Sequence, residues 1–129
     1  QADSAFTADS KAFAREVLGY IWVRNFGSRD GSAQYVKCTR IGSRKGKAFS
    51  FWNSINEKCY SVETPDGIEP ASSKTGSTFL RYSDTDISAG ICHTGKGYKT
   101  VCIGFPLETL KEEKNIDHII QTTLDFFSK

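Results

Sequence analysis

Short apolar runs with a period of two fill the middle of this chain, and they constrain its fold more than any other feature. Alternation of this kind, interrupted by glycine-, serine- and asparagine-containing stretches, predicts antiparallel strands joined by hairpins. Between Gln34 and Val62 the predicted strands contain Tyr35, Val36 and Cys38, then Phe49, Phe51 and Trp52, then Cys59, Tyr60 and Val62, with connections at Gly42–Gly46 and Asn53–Glu57.

Further strand patterns follow in the second half of the chain. They lie at Thr78–Tyr82, Ile87–His93 and Tyr98–Phe105, and Pro106 stops the last one. The Tyr98–Phe105 segment is almost continuously apolar, which is typical of a central strand covered on both faces. By contrast, Pro65–Gly76 is rich in proline, glycine and serine and is predicted to be an exposed loop.

Helical patterns lie near both ends of the chain. Near the amino terminus, Thr7 is a plausible cap, an apolar stripe follows, and Gly19 has the character of a helix-ending glycine. A short strand, Tyr20–Val23, and a polar loop come next. Near the carboxyl terminus, Thr109 and Glu112 fit a capping box. The residues after that box repeat at helical spacing: Ile116, Ile119, Ile120, Thr123, Leu124 and Phe127.

These patterns predict one α/β domain over residues 1–129, in which a mixed, strand-rich sheet is accompanied by an amino-terminal and a carboxy-terminal helix. The chain begins with Gln1 and contains no methionine, which favours a segment of a larger protein. Its net charge of +2 is too small to indicate nucleic acid or a membrane as a partner. No stretch is long and apolar enough to insert into a membrane. A segment cut from a larger fold can expose an apolar sheet face. Such a face can pair with a second copy of the chain, so a homodimer is an open alternative.

The four cysteines have no C-x-x-C spacing, which argues against a zinc site, and we expect no cofactor or metal. They are Cys38, Cys59, Cys92 and Cys102. Buried free thiols are the favoured interpretation. In an oxidising compartment three pairings are open, and Cys92 with Cys102 is the first to test.

The segment Gly90–Gly97 approaches two catalytic motifs and completes neither. A phosphate-binding loop requires Ser or Thr after Gly-Lys and a following helix, whereas Gly97 and a strand follow here. A nucleophile elbow centred on Cys92 would require a small residue where Thr94 stands. Cys92 and the adjacent His93 are therefore candidate catalytic residues whose simpler interpretation is the end of a hairpin strand.

Glu108 is the third candidate site residue. It follows Gly104-Phe105-Pro106 at the carboxyl end of a predicted strand, where open α/β sheets place ligands. An exposed carboxylate at a helix cap is the simpler interpretation. His118 is predicted to lie on the polar face of the last helix, and Asp84-Thr85-Asp86 is predicted to be a turn rather than a calcium loop.

Arg40, Arg44, Lys45 and Lys47 form a basic hairpin tip beside Phe49, Phe51 and Trp52. Interleaved basic and aromatic residues can bind single-stranded nucleic acid. A solvated turn beside core aromatics is the favoured interpretation, because the total charge is close to neutral.

The chain resembles a recurrent region of exported bacterial proteins described as xanthan-lyase-like or amidase-like. The likeness lies in Gly104-Phe105-Pro106-Leu107-Glu108, in Tyr98–Val101 before it, in Leu124–Phe127 after it, and in Phe13–Trp22. It implies part of a flavodoxin-like fold, similar to class I glutamine amidotransferases and trehalose-utilisation proteins. It also implies a secreted, periplasmic or envelope location.

Two hypotheses of function follow. The first is a non-catalytic accessory or binding module of an exported bacterial envelope protein, with neighbouring domains and a glycan as candidate partners. The second is a hydrolase or lyase acting on polysaccharide or peptidoglycan, with Cys92, His93 or Glu108 in its site. The second requires that these side chains meet in one cleft.

Overall fold

The computed structural model describes residues 8–24, 27–41, 47–51 and 65–128. Two helices and seven strands lie in this part of the chain. The helices are α1 (Ala8–Phe13) and α2 (Glu113–Ser128). The strands are β1 (Tyr20–Arg24), β2 (Ser32–Tyr35), β3 (Ala48–Ser50), β4 (Gly67–Pro70), β5 (Gly76–Tyr82), β6 (Ser88–Gly95) and β7 (Tyr98–Ile103).

The strands form one sheet in the order β1-β4-β6-β5-β2-β3, and β7 pairs with β6. Every described strand pair is antiparallel. The predicted α/β character with a strand-rich sheet is confirmed, but the expectation of a mixed sheet is corrected for these residues. Part of the physical reason is that β5, β6 and β7 follow one another through short turns, whereas a parallel pair requires a crossover of a dozen or more residues. A flavodoxin-like sheet is parallel and does not describe these pairs.

The first helix ends where the sequence predicts. α1 continues as a π-helical turn over Ala14–Leu18, and the N–H of Gly19 donates to the carbonyl of Ala14. Gly19 has φ 84°, the left-handed conformation that glycine adopts without steric cost. The chain then enters β1 directly, so the helix and the edge strand are joined by a single residue.

The central position in the sheet belongs to β6, which corrects the prediction for Tyr98–Phe105. Six consecutive residues of β6, Ser88–His93, are buried. β7 is half-buried along most of its length and ends at Ile103. Among the described strands it pairs only with β6, so the apolar run here belongs to the hairpin partner of the central strand.

A strand also lies inside the predicted loop Pro65–Gly76. β4 pairs with β1 along its length and with β6 at Ile68 and Ser88. The backbone before β4 is also held, because the N–H of Asp66 donates to the carbonyl of Gly104 at 2.8 Å. The remaining turn, 71–75, connects β4 to β5. Long-range pairing therefore overrides the local turn composition.

The second helix packs on the sheet with only part of its predicted apolar stripe, because Ile120, Leu124 and Phe127 are exposed. Ile119 and Phe126 are buried in the core with the aromatic cluster of Phe49, Phe51 and Phe105. The helix is confirmed, but the Thr109–Glu112 capping box is wrong, because α2 begins at Glu113. Thr109 is instead the buried residue of a 3-10 turn, Leu107–Thr109, and its hydroxyl donates to the carbonyl of Pro106.

The segment between the 3-10 turn and α2 is kept extended by the sheet. Leu110 forms an isolated antiparallel β-bridge with Phe51, and the N–H of Lys111 donates to the carbonyl of Ser50.

Among the described residues, no helix has both the length and the apolar character needed to cross a bilayer.

Candidate functional site

Cys92 and His93 lie on opposite faces of the sheet. Both belong to the regular β6–β7 ladder, in which Cys92 pairs with Val101 and His93 with Thr100. Neighbouring residues of a strand point to opposite sides, so the two side chains cannot meet. Cys92 belongs to the core cluster, whereas the His93 ring lies against Gly19.

Glu108 is the exposed residue of the 3-10 turn that follows β7. Its carboxylate is on the surface, while the Cys92 side chain is fully buried. Within the described residues, Cys92 contacts Cys38 and Ser77, His93 contacts Tyr98, and the structure does not assemble the three candidates into one cleft.

His93 is packed beneath the carboxyl end of the first helix. Its Nε2 lies 3.5 Å from the Tyr98 hydroxyl, which donates to the carbonyl of Val17 at 2.9 Å. In the described part of the chain, Nδ1 is buried without a hydrogen-bond partner. Burial, followed by the nearby positive charge of Arg40, lowers the pKa of His93. The imidazole is therefore held neutral in a packed setting.

The other residues that the sequence singles out, Arg40 and His118 among them, make contacts within the fold. Arg40 donates to the Ser77 hydroxyl and to the carbonyls of Ser73 and Lys74, while residues 42–46 of the basic tip and Trp52 lie outside the described residues. His118 Nδ1 lies 2.9 Å from the Tyr35 hydroxyl.

Asp84 accepts bonds from the Ser28 hydroxyl and the Arg29 N–H, in the turn that the sequence predicts. Among the described residues, no three His, Cys, Asp or Glu side chains are grouped so that they could hold a metal ion.

A different surface, on edge strand β1, has the geometry of a binding site. Tyr20 and Trp22 are two residues apart and point to the same face, and both are half-buried. They line two small recesses, one of about 130 Å³ beside Lys11 and Arg15 and one of about 240 Å³ beside Asp66. We call this surface, defined by Tyr20, Trp22 and Asp66, the β1 recess.

Asp66 gives the β1 recess a carboxylate held in place by its surroundings. The Trp22 indole N–H points to Asp66 Oδ1 at 3.4 Å, and the buried Tyr82 hydroxyl donates to the Asp66 carbonyl at 2.7 Å. Burial, followed by the nearby Cys102 thiol and the Asp66 carboxylate, raises the pKa of Tyr20, so its phenol stays protonated and able to donate. The recess therefore combines two aromatic faces with fixed polar groups.

The sequence patterns did not predict the β1 recess. Tyr20 and Trp22 are visible as alternate residues of a predicted strand, and that spacing is the one available signal. Asp66 lies 44 positions from Trp22 in the chain and reaches it only through the β1–β4 pairing. The composition of the surrounding segment indicated a loop and concealed that pairing.

Comparison of the chain with protein-family models, with curated proteins and with solved structures finds no match.

Proposed function

We propose that this chain is a non-catalytic binding module of an exported protein and that it binds a glycan at the β1 recess. The observation that carries the proposal is the arrangement of Tyr20 and Trp22 on one face of an edge strand, between the basic Lys11 and Arg15 and the carboxylate of Asp66.

The chemistry of the recess suits a sugar ring. Pyranose rings present C–H groups on their faces, and these pack against aromatic rings through dispersion and weak C–H contacts. Their hydroxyl groups donate well to a fixed carboxylate such as that of Asp66, and they accept hydrogen bonds from Tyr20 or Arg15. Tyrosine and tryptophan supply this contact area at low cost in conformational entropy.

The size of the recess favours a polymer over a cofactor. Each of the two cavities is smaller than the roughly 300–1,000 Å³ of a drug-sized ligand site. Because the cavities share Tyr20 and Trp22, neighbouring sugar units of one chain can occupy them side by side. A single large molecule, such as a nucleotide cofactor, does not fit into two separate small cavities.

The hydrolase or lyase alternative has less support. It needs Cys92, His93 and Glu108 to act together, and Cys92 and His93 face opposite sides of the sheet. The exported setting and the flavodoxin-like likeness come from the family resemblance, and the antiparallel pairing weighs against the latter. The proposal therefore depends on the site and not on fold analogy.

The test is a binding screen against neutral and uronic-acid-containing polysaccharides, followed by calorimetry with the best oligosaccharide. We expect Trp22→Ala and Tyr20→Ala each to weaken binding roughly tenfold or more, because each removes one stacking face. Phe127→Ala is the matched control, since it deletes an exposed aromatic ring on α2 and should leave affinity unchanged. Circular dichroism establishes that each variant is folded.

Binding to no polysaccharide in the screen, or equal affinity in Trp22→Ala and the unaltered protein, would reject the proposal. Hydrolysis or elimination of the bound glycan by the unaltered chain would instead support the enzymatic alternative.

A further inference from the structure

Two cysteines from distant parts of the chain meet in the core. Cys38 lies just after β2, at the start of a turn, and Cys92 lies in β6, and their Sγ atoms are 3.8 Å apart. Cys92 is fully buried, while Cys38 keeps 7% of its surface exposed. Both residues are buried, and Cys38 is the more accessible of the two.

The two sulfur atoms differ in acidity. The hydrogen bond between the two thiols, in which either sulfur can donate, lowers the pKa of Cys38 against the opposing effect of burial, and the N–H groups of Ile41 and Arg40 lower it further. The same bond, together with burial, raises the pKa of Cys92, whose thiol also points to the carbonyl of Ser77 at 3.6 Å. Cys38 is therefore the more acidic of the two thiols, which suits it to act as the nucleophile, with Cys92 as the resolving cysteine.

We propose that Cys38 and Cys92 form a modification site at which a low-molecular-weight disulfide, such as oxidised glutathione, converts the two thiols into one intramolecular disulfide. The inference concerns a different face of the molecule from the β1 recess and is independent of glycan binding.

The reaction proceeds by two exchange steps. The Cys38 thiolate attacks one sulfur of the oxidant, the oxidant's S–S bond breaks, and one half leaves as a thiolate. The Cys92 thiol transfers its proton to a thiolate in solution and attacks the Cys38 sulfur of the mixed disulfide, which releases the second half. Two protein thiols are thereby oxidised, and the oxidant is reduced to two thiols.

The geometry selects this pair over the pairing of Cys92 with Cys102. In the β6–β7 ladder Cys102 is opposite Ile91, and Cys92 is opposite Val101. Directly opposed residues share a face, so Cys102 points to the side away from Cys92, toward the carbonyl of Leu18. In contrast, Cys38 and Cys92 need only close from 3.8 Å to about 2.0 Å, and Cys38 borders a turn.

The experiment treats the reduced, folded chain with a buffer of oxidised and reduced glutathione. Remaining thiols are alkylated under denaturing conditions, and the digest is analysed by mass spectrometry without reductant. We expect a peptide pair joined through Cys38 and Cys92, with Cys102 alkylated. The bond closes a long loop, so the oxidised protein should melt roughly 10 °C higher than the reduced protein.

Cysteine variants keep the result interpretable. The double variant Cys59→Ser/Cys102→Ser retains only the proposed pair and should form the same cross-link, whereas Cys38→Ser should abolish it. Complete alkylation of Cys38 and Cys92 after oxidation, or a cross-link that uses Cys102, would overturn the inference. Either result leaves glycan binding unaffected, so the two proposals fail separately.

Discussion

The Tyr98 hydroxyl links His93 to the first helix. It lies 3.5 Å from His93 Nε2 and donates to the carbonyl of Val17 at 2.9 Å. If Nε2 carries the imidazole hydrogen, the phenol oxygen accepts it, and Nδ1 is the buried lone pair that lacks a partner among the described groups. Protonation would place a charge and an unbonded N–H beneath Gly19.

This arrangement predicts acid sensitivity of the fold. The pKa of His93 is lowered in the folded state by burial and by Arg40, so below the unfolded value of about 6.5 the unfolded chain binds the extra proton. Stability should therefore be full above pH 6.5 and should fall as pH decreases, with a slope of at most about 1.4 kcal/mol per pH unit from this residue.

Thermal melts between pH 4.5 and 7.5 measure this effect. His93→Gln keeps a donor near Tyr98 and does not titrate, so it should show a flatter dependence on the acidic side. Identical slopes in the two proteins would show that His93 does not control acid stability.

Gly19 is predicted to tolerate no side chain. A Cβ at this position would lie 2.3 Å from Cγ of His93, and the residue has φ 84°. Gly19→Ala should lower the free energy of unfolding by about 3 kcal/mol, through both the left-handed backbone and the overpacking.

Gly97 is the matched control for that substitution. It has φ 82°, but a Cβ there would have no neighbour within 4 Å. Gly97→Ala should therefore cost only about 1 kcal/mol in chemical denaturation. Equal losses at the two positions would mean that the clash with His93 is unimportant.

Tyr82 is predicted to hold Asp66 in position in the β1 recess. Its buried hydroxyl donates to the carbonyl of Asp66, so Tyr82→Phe removes a bond that positions that residue. We expect a stability loss of about 1 kcal/mol together with weaker glycan binding.

Tyr35→Phe is the control that distinguishes a loss of stability from a loss of glycan binding. Tyr35 is also buried and its hydroxyl bonds His118, but it lies away from the recess. It should lose similar stability in denaturation and retain full affinity in calorimetry. Unchanged affinity in Tyr82→Phe would show that Asp66 is positioned without this bond.

Local patterns predicted much of the fold. The helix end at Gly19, strand β1 and the amphipathic α2 follow from glycine chemistry and periodicity, which depend on neighbouring residues. The strand β4 and the true start of α2 could not be predicted, because Ile68 and Leu110 are fixed by partners far away in the chain.

Some of the site could have been predicted more fully. Gly95 pairs with Tyr98 across the two-residue turn Lys96-Gly97, and this register already places Cys92 opposite Val101. Strand alternation likewise separates Cys92 from His93. The proximity of Cys38 to Cys92 and of Asp66 to Trp22 depends on the tertiary fold, so no reading of local sequence reveals it.

The pairing of β1 with β4 has a consequence for the order of folding. β6 and β7 are joined by a two-residue turn, whereas Tyr20 and Pro70 are 50 positions apart in the chain. Loop closure makes the distant pairing entropically expensive, so we expect the β6–β7 hairpin to form early and β1 to be added late. The binding surface would then exist only after the rest of the chain has folded, and ligand recognition would itself report completion of the native state.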